Sequence, residues 1–142
     1  MGVEIKAFFE IKLNEKWYTY SQPNFKRNDE LFAKMAGAVQ VAGIKPIAPP
    51  RGLPDDISDV VALEEELWRR EGCFYSWLNA KEIKELYDFH QQLYVEREKS
   101  IFQLNTDEWG FLCGRLWASF ADHRDEFPDK IEDIRLVFWF SY

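Results

Sequence analysis

The stretch Gly72-Cys73-Phe74-Tyr75-Ser76-Trp77 sets a thiol and a hydroxyl three positions apart, just ahead of a helical pattern that carries His90. Nucleophilic catalysis needs a nucleophile, a base and a group that orients the base. A small hydrolase using Cys73 or Ser76 with His90 is therefore the enzymatic reading. Against it, His90 falls on the apolar stripe of its own helix, where a histidine packed into the core is the simpler role. Metal chemistry has less support. His90, His123, Cys73 and Cys113 are the soft or borderline donors, and no two stand at ligand spacing. The acidic stretch 122–126 lacks the spacing of a calcium loop. The seven glycines are scattered, so there is no phosphate-cradling loop. No metal and no cofactor is expected.

Two clusters combine aromatic and polar side chains. In the first, Cys73 to Trp77, Tyr75 and Trp77 have the rings to stack on a base, with Arg27 or Arg51 meeting a phosphate. That makes a small anionic ligand, such as a sequestered nucleotide, the second functional reading. The plainer role for the cluster is packing between helices where a helix starts. The second cluster is IKPIAPPRGLPDDIS, residues 44–58, which holds four of the six prolines. Prolines lower the entropy cost of ordering a loop. The segment is either a structural strap kept hydrated by Arg51, Asp55 and Asp56, or a rigid loop that presents Arg51 to an anion, with Asp55 beside it. The strand pattern at both ends of the chain argues that it is not a linker between domains.

One hundred and forty-two residues is the length of one domain, and a chain of that size buries roughly 70% of its unfolded surface without a disulfide or metal. Aromatic residues make up 17% of it, which excludes intrinsic disorder and supplies interface anchors as well as core. The net charge is −7 and uneven: +2 over residues 1–50 and −9 over residues 51–142. An acidic surface repels phosphates, so nucleic acid is a poor partner. MGVEIKAFFEIKL carries charges every few residues, unlike a signal peptide or a membrane span. A cytoplasmic setting with no membrane partner is expected. Two cysteines are too few for a disulfide framework.

The elements that would position these groups follow from periodicity. Val3, Ile5, Ala7, Phe9, Ile11 and Leu13 alternate with Glu4, Lys6, Glu10 and Lys12, which predicts a strand with one buried face. Phe8 breaks the polar face. Asn14 and Glu15 predict a tight turn into a second strand at residues 16–20. The run Ile134 to Phe140 is too apolar for a strand with a wet face and belongs at the sheet centre. Between them, Asn28 caps a short helix through Leu31, Phe32 and Met35 that ends at Gly37. Ser58 caps a second, with Val60, Leu63, Leu67 and Trp68 as its apolar stripe. Asn79 and Glu82 form a capping box that opens a long helix through Ile83, Leu86, Tyr87, His90, Tyr94 and Ile101. Asn105 opens a fourth, striped by Trp109, Leu112, Cys113, Leu116, Trp117 and Phe120, with Cys113 a buried free thiol. The fold class is α+β: one domain, residues 1–142, with an antiparallel sheet of three or more strands packed against about four helices.

RNDELFAKMAG (27–37), PIAPPRGLPDDIS (46–58), YSWLNAKEIKEL (75–86) and IRLVFWF (134–140) occur in this order over nearly the whole chain. In that pattern the chain resembles a family of small uncharacterised phage and prophage proteins. Members often carry His-Ser-His-Ser-Trp ahead of the long helix. Here the run reads Cys-Phe-Tyr-Ser-Trp, so only Ser76 and Trp77 remain. A glycine-rich stretch ahead of the Pro-Ile pair is shortened, and the chain ends Phe-Ser-Tyr where many relatives have Phe, Asp and Asn. The resemblance implies a phage or prophage origin and an intracellular setting. It implies no reaction. Any metal or acid–base work done by the relatives' histidines would be lost here.

The first functional expectation is thus a non-enzymatic phage accessory protein that binds a host or phage macromolecule, with blunting of a host defence as one such role. Its binding surface would be aromatic: Phe8 on the polar face of the first strand, with Trp17 or Tyr18 beside it. That surface also leaves room for self-association.

Overall fold

The computed structural model describes residues 3–25, 28–69, 71–96 and 131–142. Strands β1 (Glu4–Leu13) and β2 (Lys16–Ser21) pair as an antiparallel hairpin. Asn14 and Glu15 close it with φ of 50° and 65°. Two successive left-handed residues are the mark of a type I′ turn, whose twist matches that of the strands it joins. Helix α1 (Asp29–Ala36) starts where the Asn28 side chain accepts the Leu31 N–H, and ends at Gly37 in the left-handed region, with its N–H on the Ala33 carbonyl. Helix α2 (Asp59–Trp68) and strand β3 (Cys73–Asn79) follow, and β3 runs without a loop into helix α3 (Ala80–Glu96). Strand β4 (Asp133–Ser141) pairs with both β1 and β3, giving one antiparallel sheet of order β2-β1-β4-β3. The protein is an α+β fold. Three helices are found among the described residues; the fourth expected helix, with Cys113, and the acidic stretch 122–126 lie outside them.

The IRLVFWF run is central, and residues 134–141 are all buried. Its side chains alternate between two cores. Leu136, Phe138 and Phe140 join Ala7 and Phe9 of β1 beneath Leu31, Phe32 and Met35 of α1 and Ile83 and Leu86 of α3. Val137 and Trp139 join Phe8 beneath Val61, Leu53, Ile57 and Trp68. The sheet is covered on both faces, which is why β4 reads as a continuous apolar run.

Three expectations are corrected here. Residues 73–77 are the edge strand β3, not a helix start between helices; the capping box at Asn79 and Glu82 begins only after the strand ends. The second face of β1 is not a wet, charged face. α2 and the proline segment lie over it, so Phe8 is 1% exposed and unavailable as a surface anchor. α2 packs through Val61, while Val60, Leu63 and Leu67, expected to be its buried stripe, point outward.

The proline segment is an ordered strap. It leaves α1 with the Ile47 N–H on the Lys34 carbonyl, then passes along the outer edge of β3, where the Gly52 N–H meets the Tyr75 carbonyl and the Arg51 N–H meets Ser76 Oγ. Gly52 turns there at φ 78°, a conformation that glycine adopts without strain. The strap thereby carries the chain from the face under α1 and α3, round the β3 edge, to the face under α2. It also occupies backbone groups that an edge strand would otherwise offer to another chain.

Candidate interaction surface

Arg51 sits where the strap rounds the edge. Its guanidinium makes two bonds to the Glu82 carboxylate, at 2.7 and 2.6 Å, and a third to the Trp77 carbonyl at 2.9 Å. It also lies 4.9 Å from the centre of the Trp77 ring. Glu82 serves two ends at once, because its carboxylate accepts the Asn79 N–H while the Asn79 side chain accepts the Glu82 N–H. Partial burial would push the Glu82 carboxyl up, but Arg51 and the Asn79 N–H hold it below the ordinary carboxylate range. Arg51 is raised in turn by Glu82. Arg51 is therefore a tether between strap and α3, not a side chain presented to an anion.

Trp77 and Tyr75 are engaged likewise. Arg51 covers Trp77, and the Tyr75 ring stacks on Trp139 at 5.5 Å, with burial raising its hydroxyl pKa. Each ring thus has one partner already in place and is partly buried. Arg27 lies outside the described residues, and Asp55 is an exposed residue of the strap's turn. The nucleophile candidates are engaged in other bonds, the thiol half-buried and the hydroxyl fully buried. Cys73 Sγ donates to the Phe140 carbonyl, and burial raises its thiol pKa, the opposite of activation. Ser76 is fully buried under Arg51, and His90 is buried within α3's packed side. Among the described residues no cluster of His, Cys, Asp and Glu could hold a metal.

Sequence periodicity gave no sign of a second polar centre. Glu10 on β1 faces Arg135 on β4 across the sheet, and Thr19 of β2 on the other side. Arg135 Nε reaches one Glu10 oxygen at 2.6 Å, and the Ser58 N–H reaches the other at 2.7 Å. Arg135 also donates to the Asp56 side chain and carbonyl and stacks over Trp17 at 4.0 Å. Trp17 is thus held under a guanidinium, half-buried. Asp56 is held below the usual carboxylate range by Arg135. Ser58 is the N-cap residue of α2 by position, but its side chain makes no cap bond; its hydroxyl pairs with Thr19. This network pins the end of the strap and the start of α2 onto the sheet. The features that could have announced it, and were not read so, are the lone arginine within an apolar strand and the phenylalanine interrupting a polar face.

Among the described residues, what remains open is the outer side of α2. Val60, Leu63 and Leu67 are 52%, 59% and 73% exposed, at i, i+3 and i+7, while Val61 on the inner side is fully buried. They form one stripe along a helix that the network above fixes in place. At its N-terminal end the stripe meets a cleft of about 470 Å³ that Trp17, Tyr18, Asp56 and Val60 help to line. Tyr18 and Tyr20 of the edge strand β2 are exposed as well. No helix among the described residues is long and apolar enough to cross a membrane. Comparison with family models, curated proteins and solved structures gives no match for the chain.

Proposed function

We propose that this chain is a non-enzymatic binding protein that engages a protein partner through the outer side of α2. The observation that carries the reading is the row Val60, Leu63 and Leu67, three large aliphatic side chains each more than half exposed on a rigidly seated helix. Leaving such a row in water gains nothing for folding, whereas burying it against a partner removes apolar area worth roughly 25 cal/mol per Å². The bonded, unactivated thiol, the buried Ser76 hydroxyl and the pairing of Arg51 with Glu82 favour this over the hydrolase and small-anion readings. The resemblance to small phage proteins supports a phage or prophage accessory role in the host cytoplasm, with a host or phage protein as the partner.

The test is affinity capture from infected or lysogenic host extract with wild type and Leu63→Asp in parallel. A partner retained by wild type and lost by the folded variant is expected. Identical captured sets would overturn the assignment to α2.

A further inference from the structure

We infer that the partner of α2 presents an apolar groove rimmed by lysine and arginine, into which the helix lays its outer stripe. This rests on α2 being the docking element. Helix-in-groove recognition reads anchors at i, i+3 or i+4, and i+7. Val60, Leu63 and Leu67 occupy those positions, and Ala62 between them is small and exposed. The spacing covers two turns of a helix whose opposite side is locked by Val61 and Trp68, so little ordering is needed on binding.

Charge decides the chemistry of the groove. Residues 55–71 hold seven acidic side chains and two arginines, a balance of −5 within a chain total of −7. Asp59 and Glu66 adjoin the stripe and are exposed, and Asp56, exposed though paired with Arg135, lines the cleft at its N-terminal end. Among the ion pairs of α2 itself is Lys6 with Glu64, on the inner side. A groove rimmed by carboxylates would face like charge along the whole helix, and an anionic lipid surface would do the same. A second copy offers the same acidic stripe, so two-fold pairing through α2 would set these carboxylates against one another. A basic rim is the complementary arrangement.

The probe is a designed amphipathic helical peptide of leucine and lysine, titrated into the full isotope-labelled chain, with its leucine–glutamate counterpart as control. The leucine–lysine peptide is expected to shift the amides of α2, centred on Leu63, and to weaken as salt rises from about 50 to 500 mM. The glutamate peptide is expected to leave α2 unmoved. Leu63→Asp separates docking from mere attraction of opposite charges. It adds a carboxylate, so attraction alone would tighten binding, whereas loss of a central apolar anchor would weaken it about 10-fold or more. Tighter binding by Leu63→Asp, equal response to both peptides, or shifts confined to other elements would overturn the proposal. So would a concentration-dependent dimer in sedimentation that Leu63→Asp dissolves. A captured partner that depends on Leu63 but offers an acidic or uncharged surface would overturn the basic groove and leave the binding role of α2 standing.

Discussion

Truncating Glu10 tests whether the covered face is held together by a buried ion network. Glu10 is fully buried and accepts from the Arg135 guanidinium and the Ser58 N–H, while the Arg135 side chain is 7% exposed. Glu10→Ala leaves a buried guanidinium with Asp56 as its one anionic partner among the described residues, and that aspartate is mostly in water. Removing one member of a buried pair costs about 3–5 kcal/mol. The orphaned Ser58 N–H belongs to the same loss. With a urea m-value near ~2 kcal/mol/M, the midpoint should fall by about 2 M at unchanged m. Glu10→Gln, which keeps the shape and one acceptor, should cost about 2 kcal/mol. Glu10→Leu combined with Arg135→Met should cost well under the sum of the single changes, because both desolvation penalties disappear together. Urea unfolding followed by tryptophan fluorescence and far-UV circular dichroism reads all of these. A Glu10→Ala loss below about 1 kcal/mol, or strict additivity in the double variant, would refute the reasoning.

Three further outcomes are expected. Val61→Ala should lose about 2 kcal/mol in urea unfolding, whereas Leu63→Ser should stay within about 0.5 kcal/mol, since one side of α2 is packed and the other is not. Glu15→Gly should stabilise by about 0.5 kcal/mol in thermal unfolding, because a left-handed glutamate costs ~1–2 kcal/mol and the added glycine entropy offsets only part of that; a lower melting temperature would count against a type I′ turn. Glu82 and Asp56 both have depressed carboxyl pKa values when folded, so the unfolded chain takes up these protons first as pH falls. Their contribution is complete above the ordinary carboxylate range near ~4 and is lost below it. Melting temperature should drop from pH 5 to 2, and Arg51→Gln should remove part of that slope; an unchanged slope would show that the Arg51–Glu82 tether contributes nothing.

Local signals were readable wherever one element sets its own boundaries. The alternation in β1, the Asn14-Glu15 turn, the Asn28 and Gly37 caps and the Asn79–Glu82 box all depend on residues within a few positions of one another, and each is found where expected. What failed was the assignment of faces. Phe8 and Glu10 look solvated because the helix and strap that cover them come some fifty residues later, as the Glu10–Ser58 bond shows. α2 has apolar residues on two sides, so periodicity alone could not say that Val61 and Trp68 would go in and Leu63 and Leu67 out. β3 was hidden because its aromatic run stands directly against a strong helix cap. It also contains a bulge, with Phe74 at φ 54° and a register shift between Cys73 and Ser76, which breaks the period-two pattern that would have announced a strand.

The position of β4 bears on how the molecule is made. The strand that joins β1 to β3 is synthesised last among the described elements, and Arg135 finds Glu10 across 125 positions of chain. At roughly 5–20 residues per second, ribosomes need on the order of ten seconds to cover that distance. Throughout that interval the β1 edge that β4 covers in the finished sheet stays unpaired, and a two-stranded hairpin is marginal by itself. Both cores therefore stay incomplete until β4 arrives, because it contributes side chains to each from the middle of the sheet.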